Sequence, residues 1–86
     1  MKLYVRTYNY MGEHYYVDAI EHWGEIDIAK KLNISIEKYQ KILKHNGALY
    51  KDQFSITYPY YFKSKKDAEE ALKELEPYLI MVKLTE

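Results

Sequence analysis

The chain has 86 residues, with 13 basic and 13 acidic side chains, zero formal net charge, eleven tyrosines and no cysteine. A chain of this size supports one core and buries only roughly 60% of its unfolded surface, so residues 1–86 are expected to form a single domain. The composition excludes a disulfide framework and a thiolate zinc site, and balanced charge argues against a general polyanion or membrane-surface binder.

Lys2 to Tyr10 alternates, with Leu3, Val5 and Thr7 on one side and Tyr4, Arg6, Tyr8 and Tyr10 on the other, the period of a strand. Met11-Gly12-Glu13 is short enough for a hairpin turn, and His14 to Ile20 reads as the returning strand, with Tyr16 and Val17 inside it. His22-Trp23-Gly24 is then a connector.

Residues 25–32 and 35–45 carry the spacing of a helix-turn-helix. Ala29 allows close approach, Leu32 and Ile34 fill the corner, and Asn33 suits a turn residue with positive φ. Ser35 is placed to cap the second helix, whose Ile36, Tyr39, Ile42 and Leu43 recur on one helical face. His45-Asn46-Gly47 is the expected stop. Five lysines against three acidic residues make 25–46 the most basic stretch of the chain.

Ala48-Leu49-Tyr50 and Phe54 to Tyr58, separated by Lys51-Asp52-Gln53, predict a second hairpin in the position of a winged-helix wing. Pro59 suits a sheet edge or bend, and Tyr60-Tyr61-Phe62 a further short strand. Ser64 to Asp67 resembles a capping box, and Ala68, Ala71, Leu72 and Leu75 then follow at i, i+3, i+4 and i+7, so a helix is predicted that ends at Pro77. Tyr78 to Leu84, apolar on both strand faces until Lys83, reads as a central buried strand, parallel to Tyr60–Phe62 through a right-handed crossover. The predicted architecture is a two-layer α+β domain: a small, mostly antiparallel sheet with an N-terminal β-hairpin, a helix-turn-helix-like pair, a second hairpin and a C-terminal β-α-β unit.

Catalytic constellations are missing from this pattern. His14, His22 and His45 lie in three segments without a metal-ligand spacing, Ser35, Ser55 and Ser64 lack a nucleophile elbow, and Gly12, Gly24 and Gly47 build no phosphate loop. Asp18 and Glu21 form a pair of a kind common on solvated faces, with nothing to mark a general acid and base. The reading is of a chain that is not an enzyme and uses no cofactor or metal.

Two binding readings remain. Tyr4, Arg6, Tyr8 and Tyr10, with Tyr16 from the returning strand, supply the residue types that dominate protein interfaces. Open-sheet tyrosines also stack single-stranded bases, but no RNP-type aromatic motif accompanies them. Alternatively, Ser35, Lys38, Gln40, Lys41 and Lys44 face duplex DNA from the second helix, Gln40 reading adenine and the lysines positioning the helix on phosphates. Against that stand a β-hairpin where a leading helix is normally needed, Glu37 facing phosphate, and Arg6 as the single arginine.

Ile28-Ala29-x-x-Leu32-x-Ile34-Ser35-x-x-x-Tyr39, with Tyr61-Phe62-Lys63-Ser64-x-x-Asp67-Ala68-Glu69-x-Ala71-Leu72 and Glu76-Pro77-Tyr78-Leu79-Ile80, resembles small uncharacterised proteins of phages and prophages of low-GC Gram-positive bacteria. The resemblance covers residues 26–84. It implies a non-enzymatic role in phage biology: a DNA-binding regulator, or a small inhibitor that occupies a host or defence protein, as anti-CRISPR proteins do. Its place would be the host cytoplasm, without a membrane partner. Edge aromatics on so small a domain also suit a homodimer.

Overall fold

The computed structural model describes residues 1–9, 12–51 and 57–85. Strands β1 (Leu3–Asn9) and β2 (Glu13–Ala19) form the expected antiparallel hairpin, in a register running from Leu3 opposite Ala19 to Asn9 opposite Glu13. Tyr10, the expected end of the first strand, and Met11 lie outside the described residues.

Helices α1 (Glu25–Lys31) and α2 (Ile36–His45) follow, joined by a tight corner. Asn33 takes φ 59° there, the left-handed conformation that asparagine tolerates better than most residues. The Ile34 N–H returns to the Ala29 carbonyl, and Ser35 Oγ caps α2 by accepting from the Lys38 N–H at 3.1 Å. At the far end of α2, Gly47 sits at φ 96°, the Gly47 N–H donates to Lys44 O and the Ala48 N–H to Leu43 O. This is a Schellman closure, which satisfies carbonyls that the helix end would otherwise leave open.

Beyond it, strand β3 (Leu49–Tyr50) pairs antiparallel with β4 (Tyr60–Tyr61), a pairing that the sequence reading did not include. Residues 52–56 of the predicted second hairpin lie outside the described residues. The Lys51 N–H bonds the Pro59 carbonyl at 2.7 Å, and Phe62 exchanges two backbone bonds with Tyr15, which joins this small sheet to the outer side of β2.

The largest correction concerns the C-terminus. Helix α3 runs unbroken from Lys65 to Thr85 with Pro77 inside it, so Tyr78–Leu84 is helix and the predicted β-α-β unit, with its parallel crossover, does not form. The physical reason is periodicity. Ala68, Ala71, Leu72 and Leu75 are continued by Tyr78, Leu79 and Val82 on the same helical face, while Ile80, Met81 and Leu84 turn to solvent. A central strand would have buried both sets. One lost backbone donor at Pro77 is a smaller cost than abandoning that face.

The core lies between the hairpin, α1, α2 and α3. Ile28, Tyr39, Phe62, Ala68, Ala71 and Leu75 have no exposed surface, and Leu3, Val17, Leu32 and Leu43 close around them. Two fully buried alanines let α3 lie close against its neighbours. The result is a small α+β domain with two antiparallel two-stranded sheets and three helices among the described residues.

Candidate protein-binding face

The alternation of β1 sends Leu3 and Val5 into the core and leaves Tyr4, Arg6 and Tyr8 on the opposite side, across from Asp18, Tyr16 and His14 of β2. That side is partly covered. Tyr58 lies over it, and its hydroxyl donates to Asp18 Oδ1 at 2.5 Å while accepting from the Gly24 N–H at 2.9 Å.

Asp18 is buried and gathers donors from four directions. Besides Tyr58 it accepts from Arg6 Nε at 2.9 Å, from the Ala19 N–H at 2.8 Å and, at 3.4 Å, from the Tyr4 hydroxyl. Burial, reinforced by the bond to Asp18, pushes the Tyr58 phenol up to about 12, while burial, the Asp18 charge and the bond to it raise Tyr4. Both phenols therefore stay neutral donors at physiological pH.

Above this base the Arg6 guanidinium lies 4.8 Å from the Tyr16 ring centre and 5.0 Å from that of Tyr58. Lys51 Nζ donates to the Tyr16 hydroxyl at 3.0 Å and stands 5.6 Å from the Tyr8 ring. Trp23, 74% exposed, meets Tyr58 edge to face at 5.6 Å. Together these side chains line a cleft of about 240 Å³.

Of the residues expected on this face from the sequence, Tyr4 and Tyr8 are exposed and Arg6 is partly so. Tyr10 lies outside the described residues. Tyr16 is corrected: it is 3% exposed and acts as the floor beneath Arg6 and Lys51, because Tyr58 closes over it. Trp23, Lys51 and Tyr58 escaped the sequence reading. Trp23 carried the only usable signal, a large aromatic beside a glycine in a connector, whereas Lys51 and Tyr58 reach the hairpin through distant pairing.

Gly24 holds this arrangement at one point. It sits at φ 93°, and a Cβ there would lie 2.8 Å from Thr57 Cγ2. The adjacent Glu25 donates its N–H to the Thr57 carbonyl. Its side chain is buried, accepting from Gln40 Nε2 at 2.9 Å and the Tyr60 N–H at 3.1 Å. Burial outweighs these two bonds and moves the Glu25 carboxyl up to about 7.

The alternative face on α2 is divided. Lys38, Lys41 and Lys44 are exposed, with Lys38 Nζ 4.7 Å from the Tyr78 ring and Lys44 Nζ 5.7 Å from that of Tyr60. Ser35 is committed to its cap. Gln40 is corrected as a base reader, since its amide is turned inward to Glu25. Glu37 and Glu74 share a groove with Lys41 and Lys44 between α2 and α3.

Among the described residues no group of three or more His, Asp or Glu side chains is placed to hold a metal ion, and no helix is long and apolar enough to cross a membrane. His22 Nδ1 instead lies 3.1 Å from Asp27 Oδ2 at the start of α1. No known protein family, curated protein or solved structure matches the chain.

Proposed function

We propose that this chain is a non-enzymatic, phage-type binding protein that acts by covering a surface of a host or defence protein with the face built from Tyr4, Arg6, Tyr8, Trp23 and Lys51. The observation that carries this reading is the exposure of Trp23 and Tyr8 beside two cations on a base held by the buried Asp18–Tyr58 pair. Interface energy concentrates in Trp, Tyr and Arg side chains whose conformations are set before binding, because little ordering entropy is then lost on contact. An inhibitor of the anti-CRISPR type needs no more than this. Immobilised chain is incubated with host lysate, with and without nuclease, and compared with the Tyr8→Ala/Trp23→Ala double variant. A partner retained after nuclease and lost by the variant supports the reading; equal retention by a folded variant removes it.

A second reading, a DNA-binding regulator, is favoured by the exposed Lys38, Lys41 and Lys44 on α2. It expects salt-sensitive duplex binding that is weakened by Lys38→Glu and Lys41→Glu. The inward turn of Gln40 and the presence of Glu37 on the same helix place it second.

A further inference from the structure

Among the described residues strand β1 pairs with β2 alone, so its other side is an edge of the sheet. Tyr15 exchanges both of its backbone bonds with Phe62 on the far side of β2, so Thr7, opposite Tyr15 in the register, turns its N–H and C=O away from β2. The Ile20 N–H bonded to Lys2 O sets the same parity at the other end of the hairpin. Leu3, Val5 and Thr7 thus present outward N–H and C=O groups that meet no hydrogen-bonding partner among the described residues. Edges of this kind are normally blunted by proline, a bulge or a free charge. Here the seven-residue register is unbroken, and the one charged side chain within β1, Arg6, is drawn over the face to Asp18.

We propose that β1 pairs with β1 of a second copy of this chain, antiparallel about a two-fold axis at Val5. Odd-numbered residues carry the outward groups, so only registers that pair odd with odd are allowed. With the axis at Val5, Leu3 stands opposite the partner's Thr7, Tyr4 opposite the partner's Arg6 and Lys2 opposite the partner's Tyr8. Every pair on the exposed face then sets a cation beside a tyrosine, and every pair on the core-side face is uncharged. An axis at Tyr4 places Lys2 against Arg6, and an axis at Arg6 places two guanidinium groups together. An axis at Thr7 leaves Lys2 and Leu3 without an opposite strand residue.

A mixed groove lies beside this edge. Met1, Leu3, Leu79 and Ile80, together with the charged Lys2, Glu76 and Lys83, line a space of about 470 Å³ between the start of β1 and α3, and Ile80 is 57% exposed. Pairing joins the two hairpins into one four-stranded sheet and sets the two Tyr4–Arg6–Tyr8 faces side by side. It does not depend on whether that face captures a protein.

Light scattering is expected to give twice the 10.4 kDa chain mass at high concentration and the monomer on dilution. The chain contains no cysteine, so Asn9→Cys, outside the cation–tyrosine pairs, takes a single nitroxide, and the proposed register separates the two labelled Cα atoms by roughly 27 Å at strand geometry. Thr7→Pro removes an outward N–H while sparing the bonds to β2, and it is expected to abolish the dimer. In the unmodified chain the Val5 and Thr7 amides are expected to exchange at least about tenfold more slowly once the dimer forms. A wild-type monomer at millimolar concentration, a dimer with a different label separation, or amide exchange at Val5 and Thr7 independent of concentration would each overturn the proposal.

Discussion

The Tyr58 hydroxyl donates to Asp18 and accepts from Gly24, so a single phenol ties the middle of the hairpin to the connector that starts α1. Both contacts are buried, where an unmet polar group costs more than a met one contributes. Tyr58→Phe is expected to lower stability by about 1–3 kcal/mol, measured as a shift of the urea midpoint with the circular dichroism of the folded state retained. The raised phenol also sets a direction with pH. Between the ordinary value of 10.0 and about 12 the unfolded chain loses this proton before the folded one, so this contribution to stability falls as pH rises through that window.

Glu25 titrates in a more accessible range. Its carboxyl ionises near 7 in the folded chain against an ordinary 4.5, so the unfolded chain releases the proton first and this contribution is complete below 4.5 and lost as pH rises toward 7. Glu25→Gln is expected to flatten the loss of stability between pH 5 and pH 8, a change on the order of 2–3 kcal/mol. Urea unfolding of both proteins at the two pH values checks it.

A side chain at position 24 is destabilising. Gly24→Ala meets Thr57 Cγ2 and adopts a backbone conformation, extended at positive φ, that costs an L-residue roughly 1–3 kcal/mol before the clash is counted. The expected result is a thermal midpoint several degrees lower, with weakened edge-to-face contact between Trp23 and Tyr58 visible in tryptophan fluorescence.

Pro77 offers the opposite test. Lying inside α3, it leaves the Lys73 carbonyl without its usual donor, so Pro77→Ala is expected to stabilise the protein by about 1–3 kcal/mol and to raise helical circular dichroism slightly. A helix that ended before a strand at Tyr78 would respond little.

The hairpin, the Asn33 corner and the Ser35, Gly47 and Ser64 helix ends were legible because each is specified by residues close in sequence. Tyr78–Leu84 was misread because seven mostly apolar residues fit either period, and the proline beside them outweighed the face they share with Leu75. The pairing of β3 with β4 and the burial of Tyr16 were illegible for one reason. Both depend on a segment distant in the chain, Tyr58–Tyr61, returning to a register that no local signal encodes.

The central claim, a protein-binding face around Trp23 and Tyr8, is tested most directly by site-specific photocrosslinking. Benzoylphenylalanine is placed at Trp23 in one variant and at Lys41 in another, and each is irradiated in bacterial cell lysate. The account expects a discrete protein adduct from position 23 that survives nuclease, with none from position 41. Adducts to nucleic acid from position 41, with none from position 23, would contradict it.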